Sequence, residues 1–227
     1  MKKVRLNNKK SLMNKYLYDN KLKKTKIYFD DAYKKIDKLW YDQFQINNTR
    51  YSFISGNILS SYFNVKKKLN ILDIGCGYGS FPNFLNKFSN FKAYGIDVSK
   101  YTIDLGKKKY NYKNIDYGNI NDPYLRIKKK FDIITIIGVF WFMFEHFRVC
   151  HKNLRRILKK NGSIYFQINI PKDNNIFKNK IKNYDELFFF LSKFFRINEF
   201  LIFEKKISKS NKLITIQDSC LIKCKLR

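Results

Sequence analysis

The pattern of apolar and polar positions changes near residue 69. Before that point apolar residues recur every three or four positions, which predicts helices over 28–44 and 50–63. After it, short apolar runs alternate with helical patterns. The predicted strands are 70–74, 91–96, 114–117, 131–137 and 163–170, and the helices between them are 81–88, 99–110 and 144–159. A helix over 184–195 and strands over 197–207 and 213–226, joined by a hairpin-like segment at 208–211, complete the chain.

Strands that alternate with helices form a parallel sheet covered on both faces, with the ligand at the carboxyl ends of the strands. The five alternating strands followed by an antiparallel pair therefore predict an α/β fold. We divide the chain into a basic, flexible N-terminal segment (1–26), a helical extension (27–68) and the sheet domain (69–227). The extension is either a lid over the site or a cover for the core.

Local signals refine the element boundaries. The longest nearly uninterrupted apolar run, 131–144, has 14 residues with Asp132 and Thr135 inside it, whereas a membrane span needs about 20. We interpret it as a buried strand and the loop after it. Ser99 is suited to cap the helix that follows it, and Asn161-Gly162 predicts a C-cap for the helix over 144–159. The Lys-rich first ten residues are followed by no apolar stretch, so we expect neither a secretory signal nor a membrane span.

The densest group of glycines follows the first strand of the predicted sheet. Three of the nine glycines fall within the run Leu72-Asp-Ile-Gly-Cys-Gly-Tyr-Gly79. Such clustering suits a backbone that turns sharply and lets a ligand approach with no Cβ in the way. The dinucleotide fingerprint would need a glycine where Ser80 stands. Asp97 ends the next strand, where a carboxylate can accept both hydroxyls of a ribose. The run and this acid together predict a nucleoside ligand.

These residues resemble the class I S-adenosylmethionine-dependent methyltransferases. The resemblance rests on Asp73-x-Gly75-x-Gly77-x-Gly79 and on Gly95-Ile-Asp97-Val-Ser99. The segments 131–134, 139–146 and 154–162 are similar to the fourth strand and the His … Arg-x-Leu-Lys-x-Gly-Gly stretch of the small-molecule-type branch. The resemblance covers 69–226. It implies a Rossmann-like fold with a seven-stranded, mostly parallel sheet whose last strand is antiparallel, and S-adenosyl-L-methionine as the cofactor.

The resemblance also implies a set of residues around that cofactor. The methionine part would be lined by Asp73, Gly75, Cys76, Gly77, Tyr78 and Gly79. Asp97 would hold the ribose, Val98 would pack on the adenine, and Gly138 would lie near the transferred methyl group. Asn119-Ile120 stands where many members have Asp and an apolar residue beside the adenine amino group. Because an Asn amide oxygen also accepts hydrogen bonds, we expect that contact to persist.

Methyl transfer is an in-line displacement on a sulfonium that is already activated. The protein must therefore bind and align, and for an oxygen or ammonium acceptor it must also remove a proton. His146 lies beyond the fourth strand and is the candidate base, although alignment alone can carry this chemistry and the residue could instead pack at the start of a helix. His151 is expected at the surface. Trp141, Phe142 and Glu145 are candidates for the acceptor pocket, and the alternative for the aromatics is that they fill the core.

The formal net charge of +29 is weak evidence for a nucleic-acid partner. Lys supplies 39 of the 47 basic residues, and Lys, Asn, Ile, Tyr and Phe together occupy 130 of 227 positions. All five have A/T-rich codons, whereas phosphate-binding surfaces favour Arg. A small-molecule acceptor is therefore the main prediction, with any nucleic-acid binding non-specific. An RNA or protein methyltransferase that uses the Lys-rich surface, and a non-catalytic scaffold, remain as alternatives.

The four cysteines are scattered along the sequence. Cys76, Cys150, Cys220 and Cys224 form no C-x-x-C pair, so we expect neither a metal site nor a disulfide framework. A reducing cytoplasm is the expected location.

Overall fold

The computed structural model describes residues 15–19, 24–25, 28–36, 49–170, 180–209 and 212–227. Within them, strands β1 (Tyr18–Asp19) and β2 (Lys24–Thr25) form a small antiparallel ladder. The other strands are β3 (Leu69–Ile74), β4 (Phe91–Asp97), β5 (Ile115–Tyr117), β6 (Phe131–Ile137), β7 (Leu158–Asn169), β8 (Phe195–Lys209) and β9 (Lys212–Leu226). These form one seven-stranded sheet in the order β5-β4-β3-β6-β7-β9-β8.

The helices precede the sheet or connect its strands. They are α1 (Phe29–Lys35), α2 (Thr49–Ser61), α3 (Ser80–Leu85), α4 (Lys100–Tyr110), α5 (Phe140–Met143), α6 (Phe147–Ile157) and α7 (Tyr184–Ser192), with a 3₁₀ turn over Phe144–His146. Across the described ranges, no helix combines the length and the apolar character that crossing a bilayer requires.

The sheet topology confirms the predicted fold. Strands β3 to β7 are mutually parallel, and β9 runs antiparallel to both β7 and β8. The register aligns Asp73 of β3 with Gly95 of β4 and with Thr135 of β6. The carboxyl ends of these strands therefore meet at one edge. The terminal strand pair is also confirmed, and its pairing reaches Lys209 and Lys212; residues 210–211 lie outside the described part.

Both faces of the sheet are covered, which explains the nearly continuous apolar sequence of its strands. On one face α6 and α7 pack over Ile134 and Phe166. On the other, Ile54 and Ile58 of α2 pack on residues that include Ile133. Neighbouring isoleucines of β6 thus enter opposite layers, as the two-residue period of a strand requires.

The helical extension differs from its prediction. The helix expected over 28–44 ends at Lys35, because Ile36 has extended backbone and its side chain is buried with Leu17 and Ala32. Residues 37–44 of that prediction lie outside the described residues. The helix expected from position 50 is confirmed as α2.

The helix predicted over 144–159 is confirmed over Phe147–Ile157, but its predicted C-cap at Asn161-Gly162 is wrong. The helix α6 ends at Ile157, and Leu158 already has extended backbone as the first residue of β7. Leu158 pairs with Phe131 while Ser163 pairs with Ile133, so the residues between them form an irregularity inside the strand. Pairing with β6 therefore outweighs the local preference of Asn-Gly for a helix end.

Two further boundaries differ from the prediction. The residues directly after β6, expected as a loop, form α5, and the first three residues of the helix predicted over 144–159 form the 3₁₀ turn. The helix expected over 184–195 ends at Ser192, and Phe195 begins β8 with a fully buried side chain. In each case tertiary burial of aromatic side chains sets the boundary.

Candidate functional site

A tight loop of glycines joins β3 to α3. Gly75, Gly77 and Gly79 all have positive φ, at 77°, 54° and 88°. At Gly75 an added Cβ would also lie 2.5 Å from Cγ1 of Val139. The left-handed backbone and the lack of space both exclude side chains here, so the backbone itself forms the surface of the loop.

Asp97 ties this loop to the start of α4. Its side chain is 6% exposed; Oδ2 accepts the amide of Gly77 at 2.8 Å and Oδ1 accepts the amide of Ser99 at 2.8 Å. Burial, together with the smaller effect of the nearby charge of Asp30, raises the pKa of Asp97 to about 6. The hydrogen bonds from the two amides act in the opposite direction. Each oxygen keeps a lone pair that a hydroxyl could use.

Asp73 is the second buried carboxylate of the site. It is 3% exposed, and Oγ1 of Thr135 donates to its Oδ1 at 2.7 Å. Burial, and to a smaller extent the charge of Asp97, raise the pKa of Asp73 to about 8. In the part of the chain that the structure describes, neither carboxylate has an ion-pair partner. An uncompensated buried carboxylate is costly and favours a cationic ligand.

These groups fit the cofactor that the sequence resemblance implies. S-adenosylmethionine carries an ammonium group, a sulfonium and two ribose hydroxyls. A cationic ligand would favour loss of the Asp73 proton, so that this side chain could offer a negative charge to the ammonium or sulfonium group, and Asp97 offers acceptors for the hydroxyls. The sequence placed both acids here, and their specific roles stay predictions.

Cys76 and Tyr78, also predicted to line the methionine part of the cofactor, have different side-chain surroundings. Cys76 is buried with Ile103 and Ile115, and burial raises the pKa of its thiol well above the usual range. The ring of Tyr78 packs edge-to-face against the ring of Tyr33 in α1, with 5.5 Å between the ring centroids. The predicted contacts of both residues with the methionine part of the cofactor stay predictions.

The residues predicted beside the adenine lie along the same edge. Val98 and Asn119 are half-buried, and Oδ1 of Asn119 accepts the amide of Asn121 at 2.9 Å. Ile120 is only 4% exposed and belongs to the main core cluster. The apolar side chain at this position thus supports the sheet domain, and its predicted adenine contact stays untested.

The candidate acceptor side lies beyond β6. Gly138 has φ 70°, is exposed, and donates its amide to the carbonyl of Gln167 at 3.0 Å. Trp141 is 8% exposed, and its Nε1 donates to the carbonyl of Asn169 at 2.9 Å. Glu145 forms an ion pair with Lys180 at 2.8 Å.

The two histidines have different surroundings. His146 is exposed at the end of the 3₁₀ turn, immediately before α6, and its side chain makes no capping hydrogen bond. The prediction that His151 is a surface residue is wrong. Its ring is half-buried at 5.2 Å from the rings of both Phe194 and Phe195, and burial together with Arg155 lowers its pKa.

Helix α1 lies across the loops that follow three strands, an arrangement that the sequence left open. The ring of Phe29 packs against the ring of Phe142, a residue of α5 after β6, with 5.1 Å between the ring centroids. The ring of Tyr33 packs against the ring of Tyr78 in the glycine loop. Asp30 accepts hydrogen bonds from Ser99 and Tyr101 at the start of α4. In the described part of the extension, α2 covers one face of the sheet, as one of the two alternatives predicted, and α1 packs against the loops that follow β3, β4 and β6. Whether α1 acts as a lid stays a prediction.

Sequence reasoning missed two supporting residues. Thr135, which holds Asp73, was visible as a hydroxyl within the apolar run of β6. Asp30 was visible only as an acid near a helix start, and nothing local indicated its partners in α4. Among the described residues, no group of three or more His, Cys, Asp or Glu could hold a metal ion.

Comparison with known proteins agrees with this geometry. A family model described as a methyltransferase domain matches residues 72–166, a range that contains the glycine loop, Asp97 and Gly138. The chain is 29% identical over 153 residues to the ubiquinone biosynthesis O-methyltransferase of Pelagibacter ubique, which covers 60% of this chain and 61% of that protein. It is 30% identical over 139 residues to the tRNA U34 carboxymethyltransferase of Campylobacter jejuni, covering 58% and 44% respectively. It thus spans less than two thirds of either relative.

A solved structure shares the fold. The N-methyltransferase NodS from Bradyrhizobium japonicum, in complex with S-adenosyl-L-homocysteine, has a TM-score of 0.59 at 17% identity. The match covers 84% of this chain and 92% of that one. Residues 72–166 therefore match a methyltransferase domain, and the chain shares the fold of an N-methyltransferase solved with S-adenosyl-L-homocysteine.

Proposed function

We propose that the chain transfers a methyl group from S-adenosylmethionine to a small-molecule acceptor. The observation that carries the proposal is the pair of buried carboxylates, Asp73 and Asp97, at a glycine loop of positive φ. A protein that did not bind a cationic nucleoside would gain stability by replacing Asp73 with an apolar residue. The family match over 72–166 supports the same activity.

Alignment is the main contribution of the protein to this reaction. The cofactor, when bound, supplies a methyl group on a positively charged sulfur. Asp97 orients the ribose through its free lone pairs, and Asp73 offsets positive charge in a buried setting. Holding two reactants in line converts an encounter in solution into a step within one complex, which can contribute several kcal/mol, on the order of 7–11 in favourable cases.

The acceptor would be held between β6 and α1. The exposed backbone of Gly138 allows close approach. Trp141, fixed by its hydrogen bond, forms one wall, and Phe142 forms another with Phe29 of α1 behind it. Glu145 supplies a charged group at the rim. In this proposal α1 is the lid that shields the reacting groups from water.

His146 is proposed as the base that removes a proton from the acceptor. If it has this role, His146→Gln should lower kcat about 100-fold or more, because proton removal typically contributes 10²–10⁴-fold, while leaving the cofactor Kd unchanged. Arg148→Gln, an exposed change in α6, is the matched control for loss of a basic side chain. An unaltered kcat in His146→Gln would mean that alignment alone carries the transfer.

The direct test is to titrate methyl-labelled S-adenosylmethionine onto the purified chain. We expect a micromolar Kd, and a Kd weaker than about 1 mM, equivalent to only about 4 kcal/mol of binding, would contradict the proposal. The labelled complex is then incubated separately with a metabolite extract, with total RNA and with protein. Label is expected in small molecules.

The second candidate is methylation of RNA. The similarity to a tRNA U34 carboxymethyltransferase and the excess of Lys favour it. Labelled RNA at physiological salt would establish this alternative and exclude the small-molecule assignment. The wide scatter of Lys along the sequence argues against it, because a nucleic-acid surface gathers its charges into a patch or stripe.

A further inference from the structure

Ser99 connects the proposed ribose acid to the lid helix. Its amide donates to Oδ1 of Asp97, and its hydroxyl donates to Oδ1 of Asp30 at 2.6 Å. The same hydroxyl accepts the amide of Thr102 at 3.2 Å as the N-cap of α4. Ser99 is fully buried. A continuous chain of hydrogen bonds therefore runs from α1 to the carboxylate that faces the cofactor.

Asp30 completes the N-terminus of α4 from outside that helix. Its Oδ1 also accepts the amide of Tyr101 at 3.2 Å. Two of the otherwise unpaired amides of the first turn are thus satisfied, one by Ser99 and one by a carboxylate from α1. Negative charge is favourable at this end of a helix, so the contact holds α1 against the ligand edge.

We propose that Asp30 is a positioning residue for cofactor binding: it holds Ser99 where its amide fixes Asp97, and it fastens α1 across the cleft. This inference rests on the proposed function, since Asp97 is the proposed ribose acid. Release of the bound nucleoside requires the Asp30–Ser99 hydrogen bond to break, because α1 covers the loops after β3, β4 and β6. Asp30 itself need not touch the ligand.

The test compares Asp30→Asn with Asp31→Asn. The two residues are adjacent in α1, and Asp31 is exposed, so both variants lose the same formal charge. Stopped-flow measurement of S-adenosyl-L-homocysteine release from the full chain should give a dissociation rate about tenfold higher for Asp30→Asn, which weakens a charge-assisted hydrogen bond. Asp31→Asn should match the wild type.

Ser99→Ala provides a second variant. It removes the hydroxyl and keeps the amide that binds Asp97. We expect it to reproduce the faster release, and the double variant with Asp30→Asn should add little, because both changes remove one link. Additive effects would mean that the two side chains act separately, which would overturn the proposal.

The pH profile of binding separates the charge of Asp30 from its hydrogen bond to Ser99. The titratable groups that face Asp97 are Asp30 from α1, Asp73 from β3 and the thiol of Cys76 in the loop. Removing the charge of Asp30 should move the acid midpoint of binding to lower pH, since Asp97 then ionises more readily. Ser99→Ala keeps the charge of Asp30 and should leave this midpoint unchanged.

The outcomes are distinguishable from failure of the proposed function. A wild-type chain that binds no S-adenosylmethionine or S-adenosyl-L-homocysteine refutes that function. A wild-type chain that binds, with Asp30→Asn indistinguishable from Asp31→Asn in release rate and pH midpoint, refutes only the role of Asp30.

Discussion

At the scale of single residues, two acids of the same strand-rich domain contribute to stability in opposite directions. Asp73 is buried without a cation, and its pKa is raised to about 8. Asp132 is the second residue of β6, far from the glycine loop at the other end of the sheet. It accepts a hydrogen bond from the amide of Asn70 at 2.9 Å and forms an ion pair with Lys159 at 2.8 Å. These partners outweigh burial and lower its pKa. In our proposal Asp73 serves a ligand, whereas Asp132 stabilises the fold.

The pH dependence of stability should reveal this difference. Between about pH 4 and pH 8 the folded chain holds a proton on Asp73 that the unfolded chain has released, so the free energy of unfolding falls as pH rises. Asp73→Asn should remove that slope and raise cofactor-free stability at pH 8 by on the order of 1–3 kcal/mol. Urea denaturation at pH 5 and pH 8 measures it.

Asp132→Asn is the matched control and should behave in the opposite way. Its lowered pKa means that its stabilisation is present above the unfolded pKa and is lost as pH falls through the folded one. The variant should therefore be less stable than the wild type at neutral pH. A loss of stability in Asp73→Asn at pH 8 would contradict the assignment of an uncompensated carboxylate.

At the scale of elements, a glycine in the loop and a glycine in α2 differ in whether their positions tolerate a side chain. Gly75 needs its positive φ and has Val139 against the position of a Cβ. Gly56 lies in the helix α2, and an added Cβ there would meet nothing within 4 Å. Only the first glycine is required by its conformation.

Substitution by alanine should separate the two positions. Gly75→Ala should lower the free energy of unfolding by about 1–2 kcal/mol, the cost of a left-handed residue with a side chain, and should weaken cofactor binding. Gly56→Ala should raise stability by about 0.5–1 kcal/mol and leave binding unchanged. Thermal melts and cofactor titrations of both variants measure these effects. Equal stability changes would overturn the loop geometry.

At the scale of the whole molecule, a strongly basic chain carries an acidic site. The net charge is +29, yet at the site the charge of Asp30 raises the pKa of Asp97, and the charge of Asp97 raises the pKa of Asp73. Overall charge governs non-specific association. Local charge governs which ligand enters the cleft.

Salt should therefore separate the two kinds of binding. Association with RNA should be sequence-independent and lost at moderate salt, since log affinity falls with log salt by about 0.9 for each phosphate neutralised on a duplex. Cofactor binding in the buried cleft should change little, because buried charges are screened less. Titrations of both ligands between about 50 mM and 300 mM salt test this. Salt-resistant, sequence-selective RNA binding would contradict it.

The sequence by itself determined the alternation of strands and helices, the glycine loop and the acids that end β3 and β4. These follow from local rules: a buried strand needs a continuous apolar run, and a tight ligand loop needs glycine. The residues Asp73, Gly75 and Asp97 could therefore be named before their surroundings were known. Ser99 as the cap of α4 belongs to the same class, because capping acts within one turn.

Tertiary structure alone decided where α6 ends, where His151 lies and what Asp30 contacts. Asn161-Gly162 suits a helix end locally, but pairing between β6 and β7 draws it into a strand. Asp30 reaches Ser99 across 69 positions of sequence. Such contacts depend on which distant segments the fold brings together, and neither periodicity nor residue type encodes that distance. The physical reason is that packing and strand pairing act between elements, whereas sequence patterns report on each element separately.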